Sequence, residues 1–577
     1  VGFHNVVAFL RHWTIEVPAT LGFWEFAGIS CASVTLASLL ATFLVRRFAP
    51  PAAGGGVLPV KLAFWRDFGD VPLRTGLVKF AASALTLGGG VSLGPEGPVV
   101  QVGASAMSAG AGALGVARQR RRLYSASGAA AALAAVFNAP MAAIAFVLEE
   151  IIGDLSSRLI GAVLLAAAAG AFVAHALIGP QPAFQVATLE SPTLFGALLC
   201  PLVAAAGAAG GVAFQCGSLA TRRLFLKRTL TGTFTGAGGA NAGGGAGAGG
   251  FVARWLAPAL GALGTWAAGM AAFAWTGSTG VFGIGYGDIT GAISGAFVWH
   301  AALVLAAAKL VASFLASGSG GCGGIFAPSF CIGGLFAAAL SAAVAAATDG
   351  VAGGAFTLTA ADNAMLVMTG MCAGFVAVVR APVTAILLIF EVTRQFETVP
   401  FLLVAALVAS VVSRHLVKEG MYDCMLRQDG DDPLRVLPPR DYRRWLEMPV
   451  GELANFRPVT LDAAQVLTAG AAGAAALRDA LATYRFNCFP VVDVAVGGTV
   501  RGMLTRPAAE LALATGEVPR LEPAVWAEPS VPLGAAQDLL VESPANVLCI
   551  GAGKLVGILT LHDLVRAQET LQENARE

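Results

Sequence analysis

The chain has 577 residues, of which 56% are hydrophobic and only 12% are charged, whereas about 25% of the residues of a soluble globular protein carry charge. Its 36 Lys and Arg and 35 Asp and Glu residues leave a net charge of +1, which excludes a bulk electrostatic attraction for nucleic acid. The nine cysteines have no CxxC or CxxH spacing, so the sequence predicts no metal site. These properties indicate a protein that crosses a membrane many times.

Long uncharged runs recur along the first part of the chain. Gly128–Leu148 and Leu159–Leu177 are two of them, and a membrane-spanning helix needs about 20 apolar residues. One such run also fits a buried helix of a soluble protein, but several together predict a multi-pass membrane domain over residues 1–425. The basic cluster within Arg118–Arg122 predicts a loop that stays on the cytoplasmic side.

This domain contains two copies of the same pair of motifs. Gly94–Pro98 (GPEGP) aligns with Gly324–Pro328 (GIFAP), and further along each half Asn138–Pro140 aligns with Arg380–Pro382. The order of the two motifs is kept, which indicates an internal repeat. Repeats with Gly and Pro breaks at corresponding places predict a substrate site where the two halves meet, near the bilayer midplane.

The glycines and prolines of these motifs predict broken helices. A break in a membrane helix is tolerated only where the backbone faces protein or a water-filled cavity. A helix that starts at such a break presents unpaired N–H groups and the positive end of its dipole, which bind an anion without trapping it. A proline kink needed only for packing is the alternative for one motif, but the repetition favours an anion site.

Glu96 lies between the two Gly-Pro pairs of the first motif, in a region with almost no other charge. A carboxylate beside helix N-termini can occupy an anion site as a tethered competitor, and protonation would release it and open the path to a diffusing ion. Acids inside a membrane domain are functional by default. The alternative is a carboxylate that only caps its helix, and the two interpretations differ in whether the side chain moves.

A second acid breaks the symmetry of the repeat. Glu149 aligns with Glu391, which favours a structural interpretation of that pair, whereas Glu150 aligns with Val392. An extra acid in one copy of a duplicated helix suggests a task that only one half performs, such as the relay of protons. The alternative is a carboxylate at a helix end that simply reaches solvent.

The chain changes character after residue 425. Residues 426–445 are polar and typical of a linker. In the remainder, Phe489–Thr505 and Val547–Thr560 each have the pattern of a strand, a glycine turn and a second strand that ends in Gly-x-Leu-Thr. The pattern predicts two similar α/β modules, at about residues 446–515 and 522–577.

At these motifs the sequence resembles the CLC family of chloride channels and proton-coupled chloride exchangers, and the resemblance covers nearly the whole chain. Gly94–Pro98 resembles the GxEGP signature, which implies that Glu96 is the external gating glutamate. Gly323–Pro328 (GGIFAP) resembles the GxFxP signature, which implies that the backbone amides of Ile325 and Phe326 bind the central anion.

Two further roles follow from the same resemblance. Gly420–Asp423 (GMYD) is similar to the tyrosine motif of the last helix, which implies that the hydroxyl of Tyr422 donates to the ion. Phe146–Glu150 (FVLEE) places Glu150 where the exchangers carry their internal proton glutamate and the channels usually have an apolar residue. The repeat and the resemblance therefore indicate the same acid by separate routes.

The sequence departs from the family pattern at two positions. Pro95 stands where the signature usually has a basic residue, which changes the local electrostatics and removes a backbone donor. Ala53–Pro59 (AGGGVLP) resembles the GSGxP motif with Gly56 in place of the central serine, so that only backbone donors, Gly56 included, remain there for the anion. We therefore expect weaker discrimination for chloride, with nitrate, bromide or another halide as alternatives.

The C-terminal modules resemble a pair of CBS domains. In the second module Thr560 and Asp563 (TLHD) match the positions that often bind the ribose of an adenine nucleotide, whereas the corresponding Thr505–Ala508 of the first lacks the acid. A structural or regulatory docking role without a ligand is the alternative. No other cofactor is expected.

Together these patterns predict an all-α polytopic membrane domain, built as two inverted repeats with broken helices at about residues 1–225 and 250–425. A cytoplasmic α/β pair of CBS domains follows it. The expected protein is a homodimer embedded in lipid, and each subunit exchanges chloride or a similar anion for protons.

Two other functions stay open at this stage. A passive voltage- or pH-gated chloride channel would use Glu96 as a gate without coupled proton flow, and Glu150 argues against it. An intramembrane enzyme would use Glu149 and Glu150 as an acid–base pair. Adjacent helical residues, however, point about 100° apart, and no nucleophile or set of metal ligands accompanies these two acids.

Overall fold

The chain divides into two units, Val1–Leu437 and Pro438–Glu577. Within the described residues, the first unit contains only helices and turns, and the second contains both sheets. The computed structural model describes residues 2–153, 159–179, 192–228, 248–348, 357–430, 448–551 and 553–564.

In its described parts, the first unit is a succession of helices. The short π-helical segment Val147–Ile152 continues directly from α7. In the described part of this unit the α-helices are α1 Gly2–Arg11, α2 Phe23–Phe48, α3 Val57–Arg66, α4 Leu73–Gly88, α5 Glu96–Ala113, α6 Arg121–Phe137, α7 Pro140–Phe146, α8 Ile160–Ile178, α9 Leu194–Arg228, α10 Ala248–Thr276, α11 Tyr286–Ile293, α12 Trp299–Gly318, α13 Phe326–Thr348, α14 Ala360–Val379, α15 Pro382–Thr393, α16 Val399–Leu416 and α17 Met421–Gln428.

Eight helical segments among the described residues are long and apolar enough to cross a membrane, which confirms the predicted multi-pass protein. The predicted run Leu159–Leu177 corresponds to α8, Ile160–Ile178. On α8 the side chains of Leu165 and Phe172 are each 75% exposed. Because such apolar side chains are favourable in hydrocarbon and unfavourable in water, the outer face of this helix fits a lipid environment.

The run Gly128–Leu148 is not one spanning helix, although it is long enough. The structure breaks it at Asn138, which ends α6 in the left-handed conformation with φ of 55°, and Pro140 then begins α7. Asparagine tolerates this conformation, and the residue before a proline avoids the helical region. The corresponding break of the second half lies at Arg380, with φ of 66°, before α15.

The predicted internal repeat is present in the order of the helices. Helices α3 to α8 of the first half correspond in order to helices α11 to α16 of the second half, and similar breaks separate them. The two halves also contact each other reciprocally, since Gly94 and Gly324 form an antiparallel bridge. Reciprocal contacts between equivalent positions are typical of a two-fold relation, as expected for inverted repeats.

A buried lysine holds the loop that precedes the short helix α3. Lys79 on α4 is fully buried, and its Nζ donates to the carbonyl oxygens of Ala52, at 3.1 Å, and Gly54. The loop ends at Gly56, whose φ of 96° is accessible to glycine and strained for other residues. Because a buried charge must find polar partners, Lys79 ties this loop to α4.

The second half repeats this arrangement before α11. Lys309 on α12 is 1% exposed, and its Nζ donates to the carbonyl oxygens of Gly280, at 3.2 Å, and Gly283, at 2.7 Å. Its loop ends at Gly285, with φ of 90°. Both lysines lie outside the aligned motifs, so their equivalence supports the repeat independently of those motifs.

The described part of the second unit contains two three-stranded sheets with the same topology. In each, the first strand is parallel to the second and the second is antiparallel to the third. The hairpins predicted from Phe489–Thr505 and Val547–Thr560 are the second and third strands of the two sheets, which confirms a small α/β unit. The strands are β1 Leu461–Asp462, β2 Cys488–Asp493, β3 Thr499–Thr505, β4 Val525–Ala527, β5 Val547–Ile550 and β6 Gly557–Thr560.

The predicted linker begins inside a helix. Helix α17 continues to Gln428, so the first three residues of the segment 426–445 are helical. Residues 431–447 lie outside the described residues, as does most of the Gly-rich segment Gly236–Gly250, from which α10 emerges at Ala248.

Candidate functional site

Helices α5 and α13 begin next to each other, at equivalent places in the two halves. The backbone N–H of Gly94 donates to the carbonyl of Gly324 at 2.9 Å, and the N–H of Gly324 donates back to Gly94 at 2.6 Å. Two residues later α5 starts at Glu96 and α13 starts at Phe326. The first N–H groups of both helices have no intrahelical acceptor, so two positive helix ends are brought to one place.

The start of α3 joins this pair. A Cβ atom on Gly56 would collide with the carbonyl oxygen of Gly97, and one on Gly97 would collide with the carbonyl oxygen of Gly55. The loop before α3 therefore lies against the first turn of α5 with backbone touching backbone. The structure brings Gly56 and Glu96 together with the segment that carries Ile325 and Phe326.

The side chain of Glu96 fills the space at this meeting point. It is fully buried, and a Cβ atom on Gly94 would collide with its Oε2. A Cβ atom on Gly324 would lie only 3.2 Å from the same oxygen, and the carboxylate also interacts with the backbone amide of Ala327 in the first turn of α13. The two glycines of the bridge thus leave room for one acidic side chain against a helix N-terminus.

Tyr286 holds the other oxygen of this carboxylate. Its hydroxyl group donates to Oε1 of Glu96 at 3.0 Å, and its ring stacks on Phe330 of α13 with centroids 6.0 Å apart. Tyr286 was not predicted from the sequence. It follows Gly285 at the start of α11 as Val57 follows Gly56 at the start of α3, and it lies outside both aligned motifs.

The remaining predicted anion ligands are also buried in the core of the first unit. Ile325, Phe326 and Tyr422 are 3%, 1% and 5% exposed and belong to the same hydrophobic cluster. The ring of Phe326 packs against Phe146 with centroids 4.9 Å apart. Tyr422 is the second residue of α17, and the charges of both Glu150 and Glu96 act on its hydroxyl group.

Glu150 is buried and forms an ion pair. It lies in the π-helical segment after α7, is 7% exposed, and its Oε1 is 2.6 Å from Nζ of Lys61 on α3. The same Nζ lies 3.8 Å from Asp423, the neighbour of Tyr422 on α17. Glu150 is therefore no helix-end carboxylate that simply reaches solvent. Lys61 was not predicted from the sequence, because 89 residues separate the two partners.

Glu149 binds partners other than those of Glu150 and has a structural role. It accepts hydrogen bonds from the backbone N–H groups of Val383, at 3.2 Å, and Thr384, at 2.8 Å, at the start of α15. Glu391 of α15 accepts in return from the backbone N–H groups of Met141, at 3.0 Å, and Ala142, at 2.7 Å, at the start of α7. Each acid caps the helix of the other half, which bears out the structural interpretation and removes Glu149 as an acid–base partner of Glu150.

These reciprocal caps have a measurable consequence for stability. We expect Glu149→Gln to lower the free energy of unfolding by about 1–3 kcal/mol, because one acceptor oxygen and the charge at a buried helix N-terminus are lost. Glu391→Gln should cost less, since Glu391 is less buried and has fewer donors. Thermal unfolding of the purified protein in detergent, followed by tryptophan fluorescence, measures both.

A surface carboxylate provides the matched control for these caps. Glu419 pairs with Arg427 at 2.6 Å, with side chains 32% and 55% exposed, so Glu419→Gln should change the unfolding temperature little. Equal unfolding temperatures for Glu149→Gln and Glu419→Gln would contradict the capping role.

The predicted nucleotide residues of the second unit are bonded to each other. The Thr560 backbone N–H, at 2.9 Å, and its hydroxyl group, at 2.7 Å, both donate to Oδ2 of Asp563, whose own N–H donates to Oγ1 of Thr560 at 3.3 Å. This is the geometry of a capping box. A ribose would have to compete with the cap for the Asp563 carboxylate.

The position that can carry a side chain in the first glycine loop is Gly55. A Cβ atom there would meet only the carbonyl oxygen of Gly323, at 3.7 Å, and Gly55 is outside the left-handed region that Gly56 occupies. Of the loop glycines Gly55 and Gly56, Gly55 is therefore the one at which a serine side chain would fit without strain.

The sequence of this chain is similar to those of known membrane transport proteins. The model of the family described as voltage gated chloride channel matches residues 37–414. The H(+)/Cl(-) exchange transporter ClcA of Vibrio parahaemolyticus is 30% identical over 440 residues, which cover 73% of this chain and 83% of that protein. ClcA of Vibrio campbellii is 29% identical over 435 residues, with coverage of 73% and 83%.

Solved structures have the same fold. A slow cyanobacterial Cl-/H+ antiporter matches with a TM-score of 0.60 and 21% identity, over 74% of this chain and 93% of the antiporter chain. A eukaryotic CLC transporter matches with a TM-score of 0.60 and 20% identity, over 97% of this chain and 94% of the transporter chain. Since the family model spans more than half of the chain, the protein belongs to the voltage-gated chloride channel (CLC) family.

Proposed function

We propose that this protein exchanges chloride or a similar anion for protons across a membrane. The observation that carries the proposal is the fully buried carboxylate of Glu96 at the meeting point of the N-termini of α3, α5 and α13. A site that accommodates one anionic group among helix N-termini can also accommodate a halide. The relatives named as H(+)/Cl(-) exchange transporters support the same function.

Glu96 is the gate in this proposal. As a carboxylate, it occupies the space at the start of α13 and excludes a diffusing anion. Once protonated it loses its charge, so the amides of Ile325 and Phe326, with the loop at Gly56, become available to chloride. The anion can leave again because these donors are partial charges rather than a fixed cation.

Glu150 passes protons between Glu96 and the other side of the membrane. Moving a proton on a neutral carboxyl group avoids the large cost of carrying a bare charge through a low-dielectric interior. Tyr422 lies where the charges of both acids act on its hydroxyl group, which supports a role between the two pathways. The anion and the proton then alternate at Glu96, and this alternation couples their fluxes.

The alternatives receive less support. A passive channel needs no buried second acid, whereas Glu150 is buried and paired. The enzyme hypothesis needs two acids that face one substrate. Glu149 instead binds the backbone of Thr384, whereas Glu150 binds Lys61.

The remaining expectations are part of this proposal. The active form is a homodimer in a lipid membrane, with one pathway in each subunit and with the second unit, a CBS pair, on the cytoplasmic side. Adenine nucleotide binding at Thr560 and Asp563 stays a prediction, and titration of ATP into the purified full chain measures it.

Purified protein in liposomes tests the function directly. With anion and proton fluxes recorded together, we expect a chloride gradient to drive protons uphill. In Glu150→Gln the proton flux should disappear and the anion flux should persist, because the amide cannot bind and release a proton at neutral pH. Parallel runs with nitrate, bromide and fluoride measure the selectivity.

The matched control is Glu149→Gln, which changes the neighbouring acid that caps α15. It should keep proton coupling in the molecules that fold. Anion flux without any proton movement in the unmutated protein would contradict the exchanger and establish the channel.

A further inference from the structure

Lys61 stands between two carboxylates of different exposure. Its Nζ is 2.6 Å from Glu150 and 3.8 Å from Asp423. The side chains of Lys61 and Glu150 are 10% and 9% exposed, whereas that of Asp423 is 39% exposed. One cation therefore faces a buried acid on one side and an acid open to solvent on the other.

We propose that Lys61 is a positioning residue for proton transfer, which moves its ion pair from Glu150 to Asp423 whenever Glu150 takes up a proton. The inference rests on the proposed proton exchange and deepens it. Lys61 itself carries no proton in this scheme. The position of its charge controls whether Glu150 is ionised or protonated.

The charges of the three groups keep the free-energy cost of this change of ion-pair partner low. With Glu150 ionised, one cation faces two carboxylates, and the cluster has a net charge of −1. In that state the excess charge is on the partly exposed Asp423, and a proton on Glu150 leaves the neutral pair of Lys61 and Asp423, so neither state leaves a buried charge unpaired. A buried lysine with Glu150 as its single partner would be left unpaired by the same proton, which is strongly destabilising.

The elements that carry the cluster are fixed against each other. The indole N–H of Trp65, one turn after Lys61 on α3, donates to the backbone carbonyl of Ile151 beside Glu150 at 3.1 Å. Glu149 is the next acid along the chain, but it is bonded to α15. Tyr422 of α17 is a further titratable group on which the charge of Glu150 acts.

The position of Lys61 also connects the proton site with the anion site. Helix α3 begins immediately after Gly56, in the loop against Glu96, and Lys61 lies a little more than one turn further along it. Asp423 directly follows Tyr422 on α17. A shift of the lysine toward Asp423 therefore acts beside two elements that the proposed function assigns to the anion.

The test is the coupling ratio in liposomes, measured from the voltage at which proton flux reverses. Lys61→Met keeps the aliphatic stem and removes the charge. We expect its proton flux to fall at least about tenfold at neutral pH while anion flux persists, because Glu150 then lacks the cation that stabilises its carboxylate. Proton flux should recover when the pH is raised by about one unit or more. Lys61→Arg should restore the coupling.

A second variant keeps the ion pair with Glu150 intact. Asp423→Asn removes only the outer partner and, being partly exposed, should fold normally. Its proton flux should fall while anion flux persists. If Lys61→Met does not yield a folded dimer, Asp423→Asn decides the question.

Unchanged coupling and an unchanged pH profile in the folded Lys61→Met variant would overturn the role of Lys61, and so would an unchanged proton flux in Asp423→Asn. Neither result affects the exchange proposed above, which stands on proton movement by the unmutated protein. An unmutated protein without proton flux would overturn both.

Discussion

Replacing Glu96 by glutamine is expected to abolish proton transport and to let anions pass at a rate that no longer changes between acidic and neutral pH. Glutamine has nearly the shape of the protonated acid but carries no titratable group. It has no negative charge with which to compete for the helix N-termini, so the anion meets a gate that is permanently in its uncharged form. Parallel anion and proton fluxes in liposomes measure both effects.

Tyr286→Phe is the matched variant for the same gate. It removes the hydroxyl group that donates to Oε1 of Glu96 and keeps the ring that stacks on Phe330. A hydrogen bond to a charged acceptor contributes about 1.5–3 kcal/mol, so the carboxylate should leave its position about 10- to 150-fold more readily. We expect faster anion turnover with protons still coupled.

The two variants separate the titration of Glu96 from its attachment. If Glu96→Gln still pumped protons, Glu96 would not be the coupling acid. If Tyr286→Phe left the anion turnover unchanged, the hydroxyl contact would have no part in holding the gate.

The position of Glu96 at a helix start could be predicted because the residues that indicate it lie within two aligned motifs of the sequence. The Gly and Pro residues on both sides indicate a helix start, and the aligned motif in the second half indicates which other helix start it meets. The mutual hydrogen bonds of Gly94 and Gly324 are the direct form of that alignment. Tyr286 could not be predicted in this way, because it lies 190 residues from Glu96 and outside both aligned motifs.

The two neighbouring acids illustrate the same limit. Comparison of the two halves predicted that Glu149 and Glu391 share a structural role, and each indeed caps the helix of the other. The comparison also indicated that Glu150 is different. It could not indicate Lys61, because an ion pair between distant segments leaves no periodic or repeated trace in one sequence.

The break inside Gly128–Leu148 was recognisable from its Asn-Ala-Pro motif rather than from composition. Apolar length alone predicts one spanning helix there, whereas the left-handed φ of Asn138 ends α6. Hydropathy therefore counts apolar residues correctly and misses the change of direction, which depends on the conformation of single residues.

The glycine loop before α3 offers the sharpest steric test. Gly56→Ala forces a side chain onto a residue with φ of 96°, which costs about 1–3 kcal/mol in strain, and its Cβ atom would also collide with the carbonyl oxygen of Gly97 beside Glu96. We expect this variant to lose most of its anion and proton transport. Gly55→Ala, one residue earlier, meets no close atom and should transport normally.

The same pair of positions tests selectivity. Gly55→Ser would add a hydroxyl donor where the structure has room for one, in a loop whose donors are otherwise backbone groups, so the preference for chloride over nitrate should rise. Gly56→Ser should instead behave like Gly56→Ala, because its defect is steric and the hydroxyl does not relieve it. Fluxes of the four variants with chloride and with nitrate measure both expectations. Normal transport by Gly56→Ala would mean that the loop does not lie against the first turn of α5, and the anion site would then have to be built without Gly56.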